Sequence, residues 1–294
     1  MPVAYQCRRC KGPPLDREPE GPCPNCGGFY RHDRVNVYDG EVKGARLPTI
    51  KDGEPVSAGD LMDVLGRTAR IETGMPGVDW VFGGGLPKIN TILLASPEGV
   101  GKSTFLMELF RRLARLDIDS LYISAEQELK KLAGNFAWLG PFPKKHMVLH
   151  HAVDKDEIFR AIEKSRARVF ALDSIHAVEN VTDPDGFTLA KGQPTAVERI
   201  ATDATRLASE KEVLIFIVGH VNNDGSLAGG AHLRHVLDAN LVLRQPPGAR
   251  EDDPERILRF ERKTRFAPRG RRALFMMGTT GLEDRGPLSD EEAS

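Results

Sequence analysis

The chain has 294 residues, 41 basic and 42 acidic, with a net charge of −1 and 40 % hydrophobic residues. That length suits one large domain or two smaller ones with a sizeable core, and the even charge excludes a globally basic nucleic-acid coat, so any such surface must be a local patch. The longest apolar runs, such as Val213 to Val218, fall far short of the ~18 residues of a membrane span, and no signal peptide opens the chain; a soluble cytoplasmic protein without membrane contact is expected.

All four cysteines stand at the N-terminus, as the pairs Cys7/Cys10 and Cys23/Cys26. Two Cys-x2-Cys knuckles at this separation place four thiolates for tetrahedral Zn2+ at about 2.3 Å. Pro22, Pro24, Gly27 and Gly28 are the tight-turn residues a zinc ribbon needs. The alternatives are a pair of disulfides in a secreted protein or a redox Cys-x2-Cys. A ribbon over residues 1–34 is too small to bury a useful core, so metal binding would supply most of its folding energy. Arg8, Arg9, Lys11, Arg31 and Arg34 suit either phosphate contacts or a solvated face. Residues 35–67, rich in turn residues and charge, read as a connector with a small hairpin near Val35 to Tyr38.

From residue 68 to 280 the pattern becomes strands alternating with helices. Strands are predicted at Thr91 to Ala95, Leu121 to Ser124, Met147 to Leu149, Val169 to Leu172, Val213 to Val218 and Leu241 to Leu243. Helices are predicted at Ser103 to Leu116, Glu128 to Leu139, Lys155 to Ser165 and Ala196 to Ser209. Short apolar strands interleaved with helices imply an α/β fold with a mostly parallel sheet covered on both faces. Ile257 to Arg262 and Ala273 to Met277 would add a hairpin at its edge. Residues 281–294, ending SDEEAS, read as a frayed acidic tail.

Ser96 to Thr104 read SPEGVGKST between an apolar run and a helical stretch. Glycines there let consecutive N–H groups turn inward as an anion nest at a helix N-terminus. Pro97, Glu98, Gly99, Val100, Gly101, Lys102, Ser103 and Thr104 form the predicted ATP cradle, with Lys102 reaching the β and γ phosphates and Ser103 offering Mg2+ a small oxygen ligand. The pattern usually opens with glycine; here Ser96 holds that place.

Three further strand ends carry chemistry. VFALD ends in Asp173, placed beside the loop to serve the Mg2+ side. YISAE ends in Glu126, which is either the carboxylate that activates the attacking water or a helix N-terminal acid favoured by the dipole. VLIFIVGH ends in His220, either a γ-phosphate sensor or an ordinary strand-end histidine.

The order of the zinc ribbon, RIETGMPGVDWVFGGGL (Arg70 to Leu86), the phosphate loop, LYISAE, ALDSI, VGHVNNDGSLAGGAHLRHVLD (Val218 to Asp238) and KTRFA (Lys263 to Ala267) resembles the bacterial RadA/Sms family of RecA-superfamily DNA recombination ATPases. The resemblance implies a RecA-like P-loop ATPase core and a homo-oligomeric, hexameric ring. It implies DNA-stimulated hydrolysis on single-stranded or branched DNA, branch migration, and a RecA-type recombinase as partner. It makes Glu126 the water-activating carboxylate, Asp173 the Mg2+-side aspartate and His220 the sensor.

It also makes Val221 to His235 a DNA-facing loop, with Asn222, Asn223, Gly225, Gly229, Gly230 and Arg234 as contacts. Asn222 and Asn223 stand where the family usually has a lysine. In KTRFA, Thr264 and Ala267 replace the usual asparagine and glycine, while Lys263 and Arg265 are the pair that reaches a neighbouring subunit's nucleotide. The bland alternative is a basic hairpin from Arg259 to Arg272 that binds DNA backbone or nothing. The family's C-terminal domain resembling the Lon protease has no counterpart in these residues. Two other readings share the chemistry: a replicative-type helicase or loader, and a KaiC-like nucleotide-controlled scaffold that ignores DNA.

Overall fold

The computed structural model describes residues 4–7, 30–33, 57, 70–220, 233–250 and 252–288. The chain divides into two compact units, 1–67 and 68–294. In the first, β1 (Ala4–Cys7) pairs antiparallel with β2 (Tyr30–Asp33), Cys7 opposite Tyr30. Cys10, Cys23 and Cys26 lie outside the described residues, as does the connector apart from Ser57.

The second unit is built on a nine-stranded sheet. Its strands are β3 (Asn90–Ser96), β4 (Ser120–Ser124), β5 (Met147–His151), β6 (Val169–Asp173), β9 (Leu214–His220), β10 (Ala239–Arg244), β11 (Glu255–Thr264), β12 (Arg272–Gly278) and β13 (Gly281–Leu288). They lie in the order β13-β12-β11-β10-β3-β9-β6-β4-β5. Strands β10 to β5 in that order run parallel, and β11, β12 and β13 extend the sheet antiparallel. The fold is the expected α/β, RecA-like core. Between β6 and the fifth helix, β7 (Val181–Thr182) and β8 (Thr188–Leu189) form a separate short hairpin.

The helices are α1 (Pro76–Val81), α2 (Lys102–Ala114), α3 (Leu129–Phe136), α4 (Lys155–Lys164), α5 (Pro194–Lys211) and the short α6 (Leu233–Val236). Parallel strands buried on both sides need apolar residues at every position, and β3 shows why: Ile92 and Leu94 belong to one apolar cluster, Leu93 and Ala95 to the other. On the first face, Phe105, Leu109 and Phe110 of α2 pack with Phe216 and Phe275. On the second, Ile158 and Ile162 of α4 and Val197, Ile200 and Ala204 of α5 pack with Phe170 and Ile215. Asp154 caps α4 by accepting from Glu157 N at 2.9 Å, and Pro194 opens α5 with a φ already set for a helix.

Three expectations differ from the structure. The helix expected from Glu128 to Leu139 is α3 followed by one 3-10 turn, Ala137–Leu139. The predicted Ala196 to Ser209 helix is longer at both ends, since Pro194 starts it and Glu212 closes it in a left-handed conformation, φ 55°. The acidic tail expected at 281–294 begins instead as β13, which pairs with β12 from Gly278↔Gly281 to Arg272↔Leu288. Alternating burial accounts for that strand: Leu282 is buried in the core, and Asp284 turns inward to accept from Gly77 N (2.8 Å) at the start of α1. Among the described residues, no helix is long and apolar enough to cross a membrane.

Candidate nucleotide site

The C-terminal ends of β3, β9, β6 and β4 lie side by side on one edge of the sheet, and each delivers a polar group there. After β3 the chain turns through Gly99 (φ 74°) and Gly101 (φ 105°) into α2. Only glycine adopts such a φ without strain, and a Cβ on Gly101 would come within 2.5 Å of Met277 Cε. Gly101 is the N-cap of α2 and supplies no side-chain hydrogen bond. The first N–H groups of the helix are thus left for an anion, where the dipole favours one.

Lys102 is buried, and its ammonium donates to the carbonyls of Ser96 (2.8 Å) and Pro97 (3.0 Å). Burial pulls its pKa down, opposed by Asp173, Glu98 and Glu126. The departure at Ser96 has a structural reason. This fully buried residue has no positive φ, and its hydroxyl accepts from Leu243 N at 2.9 Å, tying the root of the loop to β10.

Ser103 Oγ donates to Asp173 Oδ2 at 2.6 Å. The same oxygen accepts from the hydroxyl of Tyr122, a fully buried side chain of β4. Burial raises the Asp173 pKa while the Ser103 and Tyr122 hydrogen bonds lower it, and burial beside Asp173 pushes the Tyr122 phenol well up. The Asp173–Ser174 peptide is cis. Two hard oxygen donors this close suit a small divalent cation, which would replace the Ser103–Asp173 hydrogen bond. A cavity of about 60 Å³ adjoins them, lined by Ser103, Asp173, Glu126, Ser124, Gln127 and Asn135 among others.

Glu126 Oε1 accepts from Ser174 Oγ (2.6 Å) and faces His220 Nε2 at 3.2 Å. The His220 and Ser174 hydrogen bonds, with Lys102 nearby, hold its pKa at about 2 against the opposing effect of burial. A carboxylate in that state is ionised at neutral pH and available to orient a water. The His220 ring lies 5.5 Å from that of His176.

Lys263 and Arg265 are elsewhere. Thr264 pairs with Ala239, which pairs with Ile92 near the start of β3, whereas Leu243 meets Ser96 at its end. Four residues of strand separate the two levels, roughly 13 Å. Lys263 Nζ donates to the carbonyls of His235 (2.8 Å) and Leu237 (2.5 Å), closing α6. Arg265 pairs with Asp238 at 2.9 Å and is half-exposed. Asn222, Asn223, Gly225, Gly229 and Gly230 lie outside the described residues; Arg234 lies in α6, its side chain undescribed.

Two residues that sequence reasoning missed bear on the site. Tyr122 lies inside the LYISAE run, but a buried tyrosine reads there as core. Arg256 of β11 donates from Nε to Val100 O at 2.9 Å, and nothing in its spacing marks a long-range partner.

A family model described as "ATPase: KaiC" matches residues 71–145. The chain is 28 % identical over 295 residues to the DNA repair protein RadA of Haemophilus influenzae, covering 96 % of this chain and 59 % of that protein. The RadA of Halalkalibacterium halodurans is 34 % identical over 215 residues, 73 % of this chain and 45 % of that one. That of Mycobacterium tuberculosis is 29 % identical over 285 residues, 95 % and 56 %. The chain spans about half the length of these curated relatives. Among solved structures, a KaiC-like protein from Pyrococcus horikoshii superposes with a TM-score of 0.59 at 19 % identity, over 74 % of this chain and 99 % of that one, a likeness of fold alone. Over most of its length the chain is similar to the RadA DNA repair proteins, and the segment carrying the phosphate loop matches the family model described as "ATPase: KaiC".

Proposed function

We propose that the chain is a DNA-dependent ATPase of the RadA type, acting on single-stranded or branched DNA in recombination and repair in the cytoplasm. The observation that carries this reading is the convergence on one sheet edge of Lys102, the Ser103–Asp173 pair and the Ser174–Glu126–His220 cluster. In it the loop N–H groups and Lys102 bind the phosphates, leaving the carbonyls of Ser96 and Pro97. Ser103 and Asp173 hold Mg2+, which neutralises phosphate charge when bound. Glu126, ionised and fixed by Ser174 and His220, orients the attacking water and takes its proton. His220, which faces Glu126 and is joined in sequence to the segment after β9, reports the γ-phosphate to that segment.

The basic pair completes the site from outside. Lys263 and Arg265 sit at the sheet edge away from their own phosphate loop, so a cation for the transferring phosphoryl group comes from the next copy in a ring, taken to be hexameric. Such a cation is worth roughly a thousandfold in rate, and it makes hydrolysis depend on assembly. Cys7, Cys10, Cys23 and Cys26 hold one Zn2+ in this reading, and a RecA-type recombinase is the partner. The test is ATP hydrolysis against protein concentration, with and without single-stranded DNA. Turnover rising steeply with both supports the reading. Slow turnover indifferent to both favours a KaiC-like scaffold, which the KaiC family match also accommodates.

A further inference from the structure

We propose that Arg256 is a positioning residue for phosphate binding: by holding the Val100 carbonyl, its guanidinium turns the Gly101 N–H into the phosphate cradle. This rests on the nucleotide reading above and adds to it a residue that touches no ligand.

Arg256 stands near the start of β11, the first antiparallel strand beside the parallel core, and is 6 % exposed. Besides Nε to Val100 O at 2.9 Å, its Nη1 donates to the carbonyls of Asp253 (2.6 Å) and Glu255 (2.8 Å). Among the described residues these hydrogen-bond partners are all backbone carbonyls, and the Asp253 charge acts on the guanidinium without a hydrogen bond, so the cation is desolvated at a cost that an apolar side chain on this strand would not incur.

What that arrangement does follows from peptide geometry. In a planar trans peptide the carbonyl of residue 100 and the N–H of residue 101 point in opposite directions. Fixing Val100 O toward Arg256 therefore aims Gly101 N–H away from β11. Three other carbonyls of the loop are taken as well: Ser96 and Pro97 by Lys102, Gly101 by the helical N–H of Phe105 at 2.8 Å. With those carbonyls occupied, the flanking glycines at φ 74° and 105° present N–H groups to an anion. Lys102 leaves its two carbonyls when it turns to a phosphate. Arg256 does not need to move, so it is the fixed brace of the cradle.

The experiment measures binding of ATP and of inorganic pyrophosphate to the full chain, wild type and variants, with melting curves alongside. Arg256→Ala is expected to weaken both probes by the same factor, about tenfold, as for loss of a charge-assisted hydrogen bond. Added ethylguanidinium should restore binding, and KM should rise far more than kcat falls. Arg256→Lys keeps the charge and the stem, so it stays folded if the alanine variant does not, and it should show an intermediate loss. Equal affinity in wild type and Arg256→Lys together with Arg256→Ala, a penalty confined to ATP, or no guanidinium rescue would each overturn the proposal. Wild type that binds neither probe would instead remove the nucleotide reading itself.

Discussion

Glu126 Oε1 stands 3.2 Å from His220 Nε2 across the end of the strand between them, and Ser174, which follows that strand, donates to the same oxygen. Three neighbouring strand ends thus converge on one carboxylate oxygen. Glu126→Gln keeps the shape and one acceptor but cannot take a proton. Hydrolysis should fall at least about a hundredfold while ATP is still retained. Steady-state turnover and nucleotide retention on a desalting column check this, and normal turnover would move the catalytic role elsewhere.

The same contact sets a pH dependence. The Glu126 pKa is lowered from 4.5 to about 2, first by His220. A carboxyl depressed in the folded state contributes stability that is present above its unfolded pKa and lost as pH falls through the folded one. In His220→Ala the Glu126 pKa should return toward its ordinary range. The melting difference between wild type and His220→Ala should then be largest above about pH 4.5 and shrink toward pH 2. Because the Glu126 side chain is 40 % exposed, solvent screens the contact and the shift should be modest. Melting curves from pH 3 to 7, a span chosen on the order of the ordinary carboxyl range, would show it; a constant difference would remove His220 as the cause.

Tyr122 contributes a hydroxyl to Asp173 from inside the core. Tyr122→Phe leaves the ring packing intact and removes that bond, at a cost of about 2 kcal/mol. Asp173 is then held by Ser103 alone. The Mg2+ concentration for half-maximal ATPase should rise several-fold, with the ATP requirement at saturating Mg2+ little changed. An unchanged Mg2+ titration would make Tyr122 a core residue only.

The strand ends were legible because each short apolar run terminates in a polar side chain, at Ser96, Glu126, Asp173 and His220, and a parallel sheet necessarily gathers such ends on one edge. What was not legible depends on partners far away in sequence. Ser96 resembles a defect in the loop until its partner is known: Leu243, 147 residues on, donates to it. Arg256 and Val100 are 156 residues apart. The segment after Gly281 reads as a tail because its acids dominate its composition, whereas pairing with β12 and the burial of Leu282 decide its structure. Lys263 and Arg265 were legible as a basic pair, but their bonds to the α6 carbonyls and Asp238 were not.

Gly101 carries two constraints that a double mutant separates. Its φ of 105° is strained for any other residue, and a Cβ there would meet Met277 Cε at 2.5 Å. The methionine end is flexible and yields cheaply, whereas the backbone angle costs on the order of 1–3 kcal/mol. Gly101→Ala should weaken ATP binding more than about tenfold. Adding Met277→Ala should recover only a minor part. Full recovery would show that the clash, and not the backbone conformation, is the constraint.

The placement of Lys263 and Arg265 makes the proposed dependence on assembly testable with inactive proteins. Both lie at the sheet edge away from their own Ser96 to Lys102 loop, and both are engaged within their own subunit, Lys263 with His235 and Leu237, Arg265 with Asp238. Arg265 is half-exposed, whereas Asp238 is largely buried and is also held by Thr91 N and Oγ1, so Asp238 keeps partners when Arg265 leaves it, and in the proposed ring Arg265 would exchange Asp238 for a phosphate on a neighbour. Lys102→Ala lacks the phosphate lysine but retains the basic pair. A Lys263→Ala/Arg265→Ala variant has the reverse defect. Mixed, the two should regain activity that neither has alone, maximal near equal amounts, because some interfaces then join an intact loop to an intact basic pair. Regain at no ratio would assign the pair to its own subunit, as the anchor of α6 and Asp238, and the double alanine variant alone should then lose stability and not only turnover. Melting curves of that variant, set beside the mixing series, decide between the two.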